Sequence, residues 1–145
     1  MAYSFPSDAR FKYNIREDVP GLDFIKRLKP VTYYFDEDGL NEFTRTGKIN
    51  EYRQVAYKSN GQLHTGFLAQ DVEKIARELG YRFDGVHAPA NDKDHYSLAY
   101  SQFIMPLVRS VQEQQDTIES LAKKIEAQAL QIKEMNEMIN KLIQK

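Results

Sequence analysis

A chain of 145 residues with 41% apolar and 12% aromatic side chains has room for one compact domain and an extended segment, but not for two full-sized domains. Its formal net charge of −1 gives no overall pull toward nucleic acid or an anionic membrane surface, and no apolar run approaches the roughly 18 residues a membrane span requires. With no cysteine there is no disulfide framework, no thiolate metal site and no Cys nucleophile, so nucleic acid, membrane and metal all start as unfavoured partners.

Met1-Ala2 carries no basic stretch followed by an apolar segment, so no secretory signal is expected, and the natural protein is expected to continue upstream. Leu22 to Leu28 has helical spacing and stops at Lys29-Pro30, where proline disfavours helix in the residue before it. Val31 to Phe35 is β-branched and aromatic and predicts a strand, with Glu37-Asp38-Gly39 as the turn after it. The polar stretch from Gly39 to Gly61 holds Tyr52, Val55 and Tyr57 as a candidate strand and closes on a hairpin-like Ser59-Asn60-Gly61. Leu63 to Ala69 predicts a further strand. Asp71 to Leu79 is an amphipathic helix with Val72, Ile75, Ala76 and Leu79 on one face and Gly80 as its stop. Val86 to Ala88 and Tyr96 to Tyr100 are weaker strands around the polar turn Asn91-Asp92-Lys93-Asp94.

Composition breaks at Pro106, because all five prolines and all seven glycines lie at or before it. The rest can be a single helix. With Ile104 at heptad position a, Val111, Ile118, Ile125, Ile132 and Ile139 follow at every seventh residue. Positions d are Leu107, Gln114, Leu121, Gln128, Met135 and Leu142. This period over about five heptads predicts a left-handed, parallel coiled coil roughly 50 Å long. A helix packed along its own domain is the bland alternative, but the head is too small to cover so long a rod.

β-branched a with Leu at d is the pattern of parallel dimers. However, positions e (Val108, Gln115, Ala122, Ala129, Asn136, Ile143) and g (Ser110, Thr117, Lys124, Gln131, Met138) are mostly small or neutral. The buried stripe is therefore wider than a/d alone, which leans toward three strands without excluding two. Gln114 and Gln128 would then meet around the axis and fix register at some cost in stability. The expected fold class is α+β: a small mixed head with short strands and two short helices, then a long C-terminal helix. The segments are 1–6 (upstream leader), 7–100 (head) and 101–145 (coiled-coil helix).

Ser7-Asp8-Ala9-Arg10-Phe11-Lys12-Tyr13-Asn14-Ile15, Leu28-Lys29-Pro30-Val31-Thr32-Tyr33, Thr65-Gly66-Phe67-Leu68-Ala69-Gln70-Asp71-Val72-Glu73, and Tyr100-Ser101 to Pro106-Leu107-Val108 stand in order along the chain. These blocks resemble the endosialidase-type intramolecular chaperone family, the self-cleaving C-terminal domains of phage tail fibres and tailspikes, related also to a domain of myelin regulatory factor. The resemblance implies a homotrimer that registers the upstream fibre or spike portion of the same chain and then cuts itself off. It implies a Ser-Lys pair, with Ser7 as nucleophile, Lys12 as base and Pro6-Ser7 as the scissile bond. Setting would be the cytoplasm of a bacterial host during assembly, or the virion tail if the domain is retained.

A lysine acts as base near neutral pH only where burial or a nearby cation disfavours its ammonium form, and Arg10 is the candidate cation. Five residues apart, Ser7 and Lys12 lie on opposite faces of a strand and about 140° apart on a helix, so the chain must turn between them or a neighbouring subunit must supply the partner. Asp8 and Arg10 read as a pair or a turn cap, and they join His64 and Gln70 as candidate supporting residues. His64 reads more simply as structural, and His87 and His95 lack ligand spacing to it. Pro6 restricts how the scissile carbonyl is presented, so cleavage is expected to be slow or absent. No cofactor and no small-molecule substrate are expected. A permanent, non-cleaving trimer cap of a tail fibre or bacterial surface stalk is the alternative.

Overall fold

The computed structural model describes residues 6–49 and 61–144. In order, the elements are α1 (Leu22–Ile25), β1 (Val31–Tyr34), α2 (Glu37–Thr46), β2 (Leu63–Gly66), α3 (Ala69–Glu78), β3 (Val86–His87), β4 (Ser97–Leu98) and α4 (Ile104–Ile143), with 3-10 turns at Ala9–Phe11 and Tyr100–Phe103. The fold class is α+β. Two antiparallel pairs, β1 with β2 and β3 with β4, form separate two-stranded sheets.

The head closes around Phe24, Val72, Ala76 and Phe103, each at most 5% exposed. Apolar residues three and four apart put Val72 and Ala76 of α3 on one stripe facing this centre. Phe24 meets Tyr81 edge-on at 5.3 Å and Phe83 at 5.1 Å, and Phe83 meets Phe103 at 4.8 Å, separations at which aromatic pairs attract beyond their buried area. The first and last parts of the head are thus joined through rings. At the end of α3, Gly80 takes φ 64°, its N–H bonds the Arg77 carbonyl and the Tyr81 N–H reaches Ala76. This left-handed cap satisfies the last carbonyls and stops the helix where glycine predicts it.

The Glu37-Asp38-Gly39 segment corrects the sequence expectation, being the first turn of the ten-residue helix α2. Asp36 caps it by accepting from the Gly39 N–H at 3.0 Å, and Glu37 and Asp38 favour the positive end of the helix dipole. Together they outweigh the roughly 1 kcal/mol cost of an interior glycine. Among the described residues the head therefore has three helices besides α4, one more than expected. The candidate strand around Tyr52, Val55 and Tyr57 and the Ser59-Asn60 turn lie outside the described residues. The weaker strands shorten to two residues each, and Tyr100 belongs to the turn that leads into α4.

α4 runs for 40 residues, about 60 Å. Pro106 sits in its first turn, where a missing N–H breaks no helical bond. Only Pro106 and Ser110 of this helix are buried. α1 packs against this side, and the Leu22 N–H donates to Glu113 Oε2 at 2.8 Å. A Cβ on Gly21 would stand 2.6 Å from that oxygen, so a larger residue here would push the Glu113 side chain aside. The apolar a and d residues, by contrast, stay 47–72% exposed from Ile104 to Leu142. The head covers the c and g positions and leaves the heptad stripe open.

Candidate functional site

Asp8 builds the local geometry around Ser7. Its Oδ1 accepts from the Arg10 N–H at 2.9 Å, capping the 3-10 turn, and the Phe11 and Lys12 amides close back on the Asp8 and Ala9 carbonyls at 3.1 Å. The same carboxylate takes the Arg10 guanidinium through Nε at 3.0 and 3.1 Å and Nη2 at 2.6 Å. Arg10 holds the Asp8 carboxyl below its ordinary range, and Asp8 in turn raises the guanidinium. The turn reverses the chain so that Lys12 Nζ donates to Ser7 Oγ at 2.8 Å. A single chain thus makes this contact without a residue from a neighbour.

Ser7 and Lys12 are exposed, as is the whole stretch through Asp18. Arg10, the candidate cation, is committed to Asp8, so its charge is largely balanced where it stands. Any shielding that favours a neutral lysine at this position must come from burial.

The other two candidate supporting residues lie on different elements. His64 sits in β2 opposite Tyr33, its ring stacked on that tyrosine at 5.6 Å. Gln70 is exposed in the first turn of α3. Neither hydrogen-bonds Ser7 or Lys12. Tyr100, from the fourth block of the resemblance, accepts the Phe67 N–H through its hydroxyl at 3.0 Å, and that hydroxyl occupies the space a Cβ on Gly66 would need.

With this geometry in view, a family model described as chaperone of endosialidase matches residues 7–81, just over half of the chain. The chain belongs to the chaperone-of-endosialidase family. Within the match lie the Ser7–Lys12 turn, the β1–β2 ladder and all of α3. The fourth block of the resemblance, Tyr100 to Val108, falls outside it. No curated protein and no solved structure matches the chain.

Sequence reasoning also passed over an Asp-centred clasp. Asp94 accepts from the Ala90 N–H at 2.9 Å, His87 Nε2 at 2.8 Å and the His95 N–H at 2.8 Å. These donors, the Ala90 amide foremost and then His87, hold its carboxyl down to about 2. A depressed folded pKa means stability that is present above the ordinary value of 3.8 and lost as pH falls toward 2. The melting temperature is expected to fall more steeply between those limits than in Asp94→Ala, as thermal unfolding across an acid series will show. Parallel slopes would remove the clasp as a source of acid sensitivity.

Proposed function

We propose that this member of the chaperone-of-endosialidase family is a trimerising intramolecular chaperone that registers an upstream fibre or spike portion of its own chain and cleaves itself off before Ser7. The observation that carries this reading is the open heptad stripe: beside a head that covers only the c and g side, ten apolar a and d residues remain in water. A rod of that length gains by burying the stripe against copies of itself. The e and g flanks, mostly small or neutral, favour three strands, with Gln114 and Gln128 facing the axis.

The Lys12–Ser7 hydrogen bond supports the chemistry. Lys12 takes the Ser7 hydroxyl proton as Oγ attacks the Pro6 carbonyl carbon. Because Ser7 also supplies the leaving nitrogen, the attack passes through a five-membered ring; the C–N bond breaks, the nitrogen leaves as an amine carrying the transferred proton, and an ester remains on Oγ. Water then hydrolyses the ester. A lysine base needs desolvation, which the exposed turn gains only when another copy covers it, so assembly precedes the cut. Release is then irreversible, and the upstream trimer stays kinetically trapped after its template leaves.

Pro6 favours a second reading, in which the domain stays attached as a permanent cap, since its ring narrows the approach to the scissile carbonyl. Light scattering on the full chain should return three copies; a monomer or dimer removes the trimer. Mass spectrometry of a chain carrying its upstream segment should find a product beginning at Ser7, absent from Ser7→Ala. An intact trimer in both leaves the cap.

A further inference from the structure

Two apolar surfaces of the head have no cover among the described residues. The first is the arm that follows Ser7, where Phe11, Tyr13 and Ile15 are 80%, 88% and 70% exposed. The backbone N–H groups from Tyr13 to Val19 donate to none of the described residues, and the arm bends at Asn14, which takes φ 52°. The second surface is one face of the β1–β2 sheet. Its ladder places Thr32 opposite Thr65 and Tyr34 opposite Leu63, and strand alternation puts these four on the same side. Tyr34 and Leu63 are 56% and 55% exposed. The reverse side carries Gly66 and is occupied by Tyr100. A two-stranded sheet with one open face is marginal in water.

We infer that the arm of one copy docks its Phe11, Tyr13 and Ile15 on the Thr32/Tyr34/Leu63/Thr65 face of the next copy. The inference rests on the trimer proposed above and adds a second interface to it. One arm and one sheet face per chain form a head-to-tail contact, and three such contacts close a ring. Reach is sufficient: Leu22 is anchored to Glu113, and the eleven residues back to Phe11 can extend up to ~35 Å, whereas packed helix axes stand only ~10 Å apart. Among the described residues of one chain arm and sheet both stay open, which a contact between them within one copy would not allow. Because Ser7 and Lys12 head the same arm, docking also carries them into the desolvated ground between copies. The dyad is then completed by position and needs no residue lent by the neighbour.

The chain has no cysteine, so introduced pairs report cleanly. Full-length chains carrying Arg16→Cys together with Thr32→Cys, treated with a short bismaleimide, should give crosslinked dimers and trimers on a denaturing gel. Neither single variant should give the trimer band. Light scattering on the same samples separates the two ideas: loss of the trimer removes both, while an intact trimer with intrachain crosslinks only, or none, overturns the docking alone. Substituting serine for Phe11, Tyr13 and Ile15 together should raise the concentration at which the trimer dissociates at least tenfold while the head keeps its aromatic circular dichroism. An unchanged dissociation concentration also overturns it.

Discussion

Lys12→Met, placed in a chain that carries its upstream segment, is expected to leave the Pro6-Ser7 bond intact over times in which the parent, slowed by Pro6, is cut. Methionine keeps much of the unbranched stem but has no group to take the Ser7 proton, and a positioned general base contributes about 10²–10⁴-fold to such a step. Lys12→Arg sharpens the test. Arginine can still donate to Ser7 Oγ, as Lys12 Nζ does at 2.8 Å, yet its guanidinium does not give up a proton in proteins. If the contact serves only to shape the turn, arginine restores it and cleavage with it. If the lysine is the base, both variants stay whole. The readout is intact mass against time, with light scattering confirming that each variant still forms the same oligomer. Cleavage at the parent rate in either variant would sink the role given to Lys12.

Much of this arrangement was legible in the residues, for reasons that differ from place to place. The heptads of α4 stand out because a strict period of seven over 40 residues cannot be produced by local packing needs alone. α3 and its stop were equally plain, since an apolar stripe followed by Gly80 has one simple outcome. α2 was hidden because Asp-Gly is a turn signal, and only the Asp36 cap on the Gly39 amide reveals that the same dipeptide opens a helix. The Ser7–Lys12 contact could not be read from spacing, because a separation of five fits neither strand nor helix. It follows from Asp8 capping a 3-10 turn, a purely local event whose signal is an Asp two residues before an Arg. Glu113 under Leu22 was illegible for another reason: the partners are 91 residues apart, and no periodicity links them.

Phe24→Ala is expected to unfold the head while leaving the coiled coil assembled. Phe24 is fully buried, and its ring touches Tyr81, Phe83 and Phe103, so alanine loses the transfer energy of the ring and leaves a cavity. Buried Phe to Ala typically costs about 3–5 kcal/mol, against a total of about 5–15 for an ordinary domain. The head is poorly placed to absorb that loss, because Phe24 is one of four residues at the heart of its buried cluster. The heptad stripe owes nothing to this core: the head touches α4 through Pro106, Ser110 and Glu113, on the side away from a and d. Aromatic circular dichroism should therefore collapse at physiological temperature, while far-ultraviolet helix signal and the three-chain mass persist. With upstream sequence attached, the same variant should assemble and remain uncut, which separates registration by the rod from chemistry at the arm. Loss of both signals in one transition would mean that rod and head fold as a single unit, and that the rod cannot act as a template before the head is formed.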